Sequence, residues 1–366
     1  MTAESIRVAG VALLLGALYW VMPSLSRPTL QFGVRLPTEF SGAPVIARER
    51  GTYRRRITVL TVCAVPAALL STADSRWLGL TIIWLQIVVA FCCYALARQQ
   101  IRAVKLTESW YDDVKQAIVV DTAWRTEPEP FPWRWTAPGA VIVLATAATG
   151  VVRYPQLPDQ LATHFTASGH PDHWADRSPW SAFALVIIQL FVLVLITGLM
   201  ALTYHSRPDT DAADIKATTS RYRVFLRTMT RAMLVMVALV EVSLAITALQ
   251  VWQFFSLTGA AAVLPVLPAA VGGLGLIGVA IWLGQAGSLL PHPSHRTPLD
   301  DEPVANRDDD TYWKAGLIYL NRDDPAIMVG KRFGIGWTLN FGNPKSWLVL
   351  GTILSAAIGL AFARGR

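Results

Sequence analysis

Apolar residues in this chain come in long unbroken runs, and polar residues collect between them. The runs lie at about residues 6–25, 57–72, 77–97, 137–152, 180–204, 232–255, 263–290 and 346–363. A helix needs on the order of 20 apolar residues to cross the hydrocarbon layer of a bilayer, and these runs approach or exceed that length. They predict an all-α polytopic membrane protein with about eight transmembrane helices. The runs 57–72, which carries Pro66, and 137–152, which 180–204 follows across a polar loop, are the two shortest. Composition agrees with the pattern: 53% of residues are hydrophobic and only 16% charged, against about a quarter charged in a soluble domain.

Charge sets an orientation. Of 32 Lys and Arg, 26 fall in four segments, 26–56, 98–136, 205–231 and 291–345, which alternate regularly with the poorer ones. Basic connections stay on the cytoplasmic side, so these four are expected inside, and both termini outside, a multi-pass protein of the plasma membrane. The net charge of +7 is then a topology signal, and the lipid bilayer rather than nucleic acid is the partner it implies. Trp77, Trp180 and Trp252 fall at expected outer ends, Trp133, Trp135 and Trp347 at inner ends, as interfacial belts place them. Cys63, Cys92 and Cys93 lie inside apolar runs, which excludes a disulfide framework and a CxxC metal pair. Only Arg7 precedes the first run and no small-residue cleavage site follows it, so it reads as a retained span.

The organisation expected from these features has four parts: a three-span unit at 1–136, a four-span core at 137–290, a flexible Pro- and Asp-rich linker at 291–310, and 311–366 as a cytoplasmic patch plus the last span. In the patch, two aromatic and β-branched runs flank Asn321-Arg322-Asp323-Asp324-Pro325, which has turn chemistry and predicts a small hairpin-like unit. A type I turn accounts for Asn321, Asp323 and Asp324 better than calcium ligation, since no further acidic ligand follows at loop spacing. Gln31-Phe32-Gly33-Val34-Arg35 echoes Arg332-Phe333-Gly334-Ile335-Gly336, and the two stretches are expected to meet and pair as strands. Ala280, Gly284 and Ser288, four residues apart, are expected to form a smooth packing face on the seventh span.

Candidate chemistry concentrates in the outer loop 153–180, which holds three of the six histidines. Pro155 and Pro158 fix an extended entry, Ser168-Gly169 supplies a turn, and Asp172, Asp176 and Ser178 stand where they could cap helices. Two readings remain open. In one, His164 and Asp172 hydrogen-bond the loop to itself as a rigid cap. In the other, His164, His170, Asp172 and His173 offer the imidazole and carboxylate ligands that zinc accepts, provided the loop folds back on itself. The second candidate is Glu241, alone among apolar residues near the middle of the sixth span. It is either a proton or cation relay or a polar contact for a substrate, or else a neutral side chain hydrogen-bonded to a neighbouring span, for instance to Gln86 or Gln189. The chain contains no Walker loop, no nucleophile elbow and no dinucleotide fingerprint. It is expected to be non-enzymatic and to need no cofactor.

The loop also carries a resemblance. Tyr154-Pro155, Leu157-Pro158-Asp159, Thr163-His164-Phe165, Gly169 and Pro171-Asp172 resemble the signature of an uncharacterised bacterial membrane-domain family that includes the SdpI-like immunity proteins. The K-R-F-G-I-G-W-T-L-N-F motif within Trp313–Phe341 is similar to a second uncharacterised domain found at the C-termini of such proteins. The first resemblance implies protection from, or sensing of, an external peptide or envelope stress. Pro158, Asp159, His164, Phe165, Gly169, Pro171 and Asp172 would form the external recognition surface. The patch around Trp313, Lys331, Arg332, Gly334, Trp337 and Asn340 would dock a cytoplasmic regulatory protein, as the immunity family does with a repressor. This chain is longer than those proteins, with more spans. The alternative is a small-solute or ion transporter using Glu241, and a membrane metalloenzyme ranks behind it.

Overall fold

A computed structural model describes residues 3–70, 76–112, 114–117, 123–166, 168–206, 215–291 and 304–364. In chain order the elements are helix α1 (Ala3–Leu25), strands β1 (Leu30–Gln31) and β2 (Val34–Arg35), helices α2 (Pro44–Leu69) and α3 (Arg76–Thr107), strand β3 (Lys115–Ala117), and helices α4 (Ala123–Thr126) and α5 (Ala137–Arg153). Strands β4 (Gln160–Phe165) and β5 (Pro171–Asp176) follow, then helices α6 (Pro179–Thr203), α7 (Ile215–Val251) and α8 (Leu267–Leu283). Strands β6 (Val304–Asn306), β7 (Trp313–Lys314), β8 (Ile318–Tyr319), β9 (Met328–Gly330) and β10 (Trp337–Leu339) lead to helix α9 (Pro344–Arg364).

Six helical stretches among the described residues are long and apolar enough to cross a bilayer: Ser5–Leu25, Trp77–Thr107, Trp133–Gln156, Pro179–Thr203, Ile215–Val251 and Leu267–Gly287. Trp84, Leu144, Val194 and Leu274 on these helices are more than half exposed. Water leaves such stripes buried, whereas lipid solvates them, so a multi-pass membrane protein is the architecture they define. The expected second span differs. Helix α2 starts at Pro44 and runs through Arg48, Arg50 and Arg54-Arg55-Arg56 before its apolar part begins at Ile57. Those charges leave too little apolar helix to fill a span of about 20 residues. The expected eighth span falls in α9, whose side chains from residue 356 onward lie outside the described residues. Helix α8 stops at Leu283, and Gly284 takes φ +66°. Ala280, Gly284 and Ser288 therefore share no helix face.

The chain forms two compact units, each gathered from separate stretches. One comprises Met1–Thr126, Arg207–Tyr222 and Leu283–Asn343, the other Glu127–Ser206, Arg223–Trp282 and Pro344–Arg366.

The first unit has a core of Phe32, Tyr53, Ile57, Tyr94, Ile101 and Trp110. Two tight hairpins lie on α3. Phe32-Gly33 joins β1 to β2 and Ala315-Gly316-Leu317 joins β7 to β8, with positive φ at Phe32, Gly33, Ala315 and Gly316, the backbone twist that tight hairpin turns favour. The Tyr94 hydroxyl donates to the Ala315 carbonyl at 3.0 Å, and Arg98 Nη1 to that of Phe32 at 3.4 Å. A third hairpin, β9–β10, is closed by Lys331–Gly336. The 313–341 patch is thus two hairpins, and Asn321–Pro325 is the connection between them rather than a hairpin turn. Its carboxamide and carboxylate bond the backbone two residues on, Asn321 Oδ1 accepting from Asp323 N and Asp324 Oδ1 from Ala326 N.

The echoing stretches 31–35 and 332–336 do meet, but not as paired strands, because each belongs to its own hairpin. They meet through side chains. Phe32 stacks on Phe333 with ring centroids 6.0 Å apart, and Arg332 Nη1 donates to the Gly33 carbonyl at 3.4 Å.

Beside that contact sits a charge cluster. Lys105 Nζ lies 2.8 Å from Asp308 and 2.7 Å from Asp310, Arg35 Nε lies 2.7 Å from Asp309, and Arg332 pairs with both Asp309 and Asp310. The backbone N–H of Arg35 donates to Asp310 Oδ1 at 3.1 Å. Burial alone would raise the Asp310 carboxyl, yet Arg332, Lys105 and the Arg35 amide hold it below the usual carboxylate range. Of the segment expected to be a flexible linker, 292–303 lies outside the described residues, while Val304–Asn306 pairs in parallel with Lys115–Ala117 and the three aspartates are tied down. Removing one partner of a buried pair strands the other charge, at about 3–5 kcal/mol. Arg332→Met should therefore destabilise the protein by about that amount in thermal or denaturant unfolding. Because Asp310 is depressed in the folded state, its contribution is present above about pH 4 and lost as pH falls through the lower folded value. Acid unfolding of Asp310→Asn should show a shallower decline there than the unsubstituted protein.

Candidate functional site

In the second unit, the loop between α5 and α6 is a built β-hairpin. After α5, Tyr154–Gln156 makes one tight turn that includes Pro155, so the extended entry expected from Pro155 and Pro158 begins only at Leu157, and Pro158 leads into β4. The neck is closed by Arg177, whose backbone N–H donates to the Asp159 carbonyl at 2.7 Å. Its guanidinium donates to the Leu157 carbonyl at 2.6 Å and lies 3.2 Å from the Asp159 carboxylate. Ser178 caps α6 in a reciprocal pair with Ser181, accepting from the Ser181 N–H at 3.1 Å while Ser181 Oγ accepts from the Ser178 N–H at 2.9 Å. Asp172 and Asp176 are strand residues of β5, not helix caps.

The base of the hairpin is apolar. Leu157 and Leu161 pack with Ala182, Ala248, Val251 and Trp252, and Phe165 packs against them. Trp252 Nε1 donates to the Ala182 carbonyl at 2.9 Å, satisfying the indole. At the tip, Gly169 takes φ +84°, and the Gly259 N–H donates to the Ser168 carbonyl at 3.0 Å. A side chain at 169 would run into the Leu257 backbone carbonyl. Gly169→Ala meets both a left-handed φ and that carbonyl, so it should lower stability by about 1–3 kcal/mol and raise hydrogen exchange across 160–176.

The register carries two irregularities, between Ala162 and His164 and between His164 and Phe165. In a regular strand, neighbours point to opposite faces, so Asp172 and His173 would be separated. Bulges re-aim side chains, and here His164 Nδ1 lies 2.5 Å and His173 Nδ1 3.3 Å from the same atom, Asp172 Oδ1. The two imidazoles meet edge to face at 5.6 Å. Donor atoms of His164, Asp172 and His173 all lie within 4.8 Å of one another, with all three residues exposed. The hydrogen bond from His164, with a further one from His173, holds the Asp172 carboxyl below its ordinary value against the opposing effect of desolvation. His170 is not in the group. It sits at the tip, its backbone carbonyl accepting from Thr166 N at 2.8 Å. Pro171, opposite Phe165, opens β5.

Glu241 of α7 is fully buried, and among the described residues neither carboxyl oxygen has a hydrogen-bond partner. Gln189 Nε2 does reach this residue, but donates to its backbone carbonyl at 2.9 Å. Gln86 bonds instead to the Ala12 carbonyl in the other unit. The expected carboxyl–carboxamide bond is therefore not formed, because Gln189 is spent on the main chain. Ser243, two residues on, accepts from the Ala269 N–H at 3.0 Å.

In the first unit, the patch residues largely serve the fold. Trp313 is buried with the Arg332 guanidinium 5.0 Å above its ring. Asn340 is buried and bonds five backbone groups, donating to Asn321, Asp324 and Ala326 carbonyls and accepting from Asn321 and Gly342 N–H groups. Trp337 Nε1 donates to the Tyr222 hydroxyl at 3.0 Å, and the Lys331 carbonyl accepts from Gln285 at 2.6 Å. Burial pushes the Lys331 ammonium down. Gly334 turns the β9–β10 connection at φ +86°. Sequence reasoning misses Asp308, Asp309, Asp310 and Lys105, and reaches Arg35 only as part of the 31–35 echo. The three consecutive acids were the available signal.

Helices and hairpin together define a multi-pass membrane protein that presents a β-hairpin between two of its spans. Residues 141–190, from within α5 through the hairpin into α6, match the model of a domain of unknown function (DUF1648), and residues 322–347 match that of a family of unknown function (DUF5808). No curated protein and no solved structure matches the chain.

Proposed function

We propose that this chain is a non-enzymatic plasma-membrane protein whose hairpin 160–176 is an external recognition surface, sensing or giving immunity against an external peptide or envelope stress, as in SdpI-like proteins. The observation that carries this reading is the hairpin itself, an anchored apolar base below an exposed polar edge of His164, Asp172 and His173, lying within the matched stretch 141–190. Docked tips and capped ends cut the ordering entropy a binding loop otherwise loses on engagement. The hairpin is placed outside because the segments before α5 and after α6 are rich in Lys and Arg. On the same count both termini are outside, which requires α9 and the short apolar end of α2, residues 57–69, to cross as well, the latter by local thinning of the bilayer and by its arginines reaching the surface. A cytoplasmic regulatory protein completes the pathway. In the patch, Lys331 and Trp337 remain candidates for its contact surface. Trp313, Arg332 and Asn340 are committed to internal packing.

Impermeant thiol labelling tests the orientation in a cysteine-free background. Ser168→Cys, at the exposed tip, should react in intact cells, and Glu127→Cys, before α5, only after permeabilisation. The opposite pattern overturns the external surface.

A second reading has its own observation, the unpartnered carboxyl of Glu241. An ionised carboxylate cannot be sustained there without a partner, so the side chain is a natural proton carrier for solute or ion transport. Glu241→Gln, which keeps shape and neutrality, should leave the melting temperature within a few degrees and abolish proton-coupled uptake in vesicles. Unchanged proton flux would remove this reading.

A further inference from the structure

We infer that His164, Asp172 and His173 form a binding site for a divalent transition metal ion of the zinc class on the hairpin edge. The inference deepens the recognition reading and rests on it for the side of the membrane from which the ion arrives.

Three observations carry it. Both imidazoles direct the same nitrogen, Nδ1, at one carboxylate oxygen, Asp172 Oδ1, from 2.5 and 3.3 Å. A zinc ion bonded at about 2.0–2.1 Å in tetrahedral geometry holds its donors about 3.3 Å apart, so replacing the shared proton contacts by an ion needs shifts of under about 1 Å on the His164 side. Next, the convergence depends on the irregular register. Asp172 and His173 are adjacent in β5, and regular pleating would send them to opposite faces. A bulge whose effect is to gather two imidazoles and a carboxylate does more than tie two strands together, which the ladder and the Arg177 neck already do. Finally, the donor set is open and rigidly based. The side chains of His164, Asp172 and His173 are 65%, 36% and 74% exposed, while Leu161 beneath and the Ser168–Gly259 bond at the tip hold the scaffold.

Two imidazoles with one carboxylate suit zinc in preference to calcium or magnesium, which favour all-oxygen sets. Three protein donors leave a fourth position for water or for a donor from an arriving ligand, the arrangement of open rather than closed zinc sites. A peptide carrying a histidine, thiol or carboxylate would complete the sphere, so the ion would act as a bridge to the recognised molecule.

The test uses the full-length protein without a polyhistidine tag, in nanodiscs, titrated with zinc against a chromogenic chelator. One equivalent is expected for the unsubstituted chain. His164→Ala and His173→Ala should each weaken binding by at least about ten-fold, and Asp172→Asn likewise, while His170→Ala leaves it unchanged. Melting curves in zinc-free buffer establish that each variant is folded. Should a histidine variant fail to fold, Asp172→Asn decides. Absence of binding by the unsubstituted chain, or equal loss with His170→Ala, overturns the site. External labelling at Ser168→Cys without zinc binding removes the ion and leaves the recognition surface standing. Zinc binding with internal labelling keeps the site and removes its external role.

Discussion

A carboxylate drawn out of water must find cations or hydrogen-bond donors, and in the first unit three consecutive aspartates do so together. Lys105 comes from α3, Arg35 from the first hairpin and Arg332 from the third, so each charge pair joins stretches far apart in sequence. The pairing explains why the chain's late hairpins sit with its first helices rather than with the helix that follows them. Apolar packing completes the arrangement, through Phe32 on Phe333 and Phe333 on Tyr94. Hydrophobic burial supplies most of the stabilisation in such a unit, being proportional to area and indifferent to direction. The ion pairs add direction. Asp310 accepts from Lys105, Arg332 and the Arg35 amide at once, donors that come from three different elements.

The second unit solves a different problem. A polar excursion between two apolar helices has to satisfy its own backbone where the bilayer ends, and a hairpin does this through its ladder. Leu157 and Leu161 then face Trp252 and the start of α6, which fixes the hairpin on the helices that carry it. Its outer edge is left without packing duties. Charge and hydrogen-bonding capacity can therefore vary there at little expense in stability, which is what a recognition surface requires.

How far this was legible in the residues depended on distance along the chain. Apolar runs are local, and so the helices and their membrane character could be read directly. Ser178, Pro158 and the Ser168-Gly169 turn are local too, and each took its expected role. Charge marks a boundary between apolar runs, so the Arg48–Arg56 stretch reads as a loop, yet those residues form the first half of a continuous helix. The hairpin escaped notice because its bulges break the alternation that announces a strand, and because Asp172 and Asp176 resemble helix caps. The aspartate cluster was hidden for a simpler reason: its cations stand hundreds of residues away or on another element, and spacing carries no trace of that.

Three carboxyl environments in this chain show how surroundings divide one functional group among roles. Asp310 is buried and met by cations, so it is ionised and serves architecture. Glu241 is buried and met by none among the described residues, so holding charge there is unfavourable. Asp172 is open to solvent, ionised, and flanked by two imidazole nitrogens that compete for one oxygen. Only the last can gain or release a partner without disturbing a core. Asp310 is held by its cations and Glu241 is enclosed by its own unit, whereas the Asp172 carboxylate stays open to solvent.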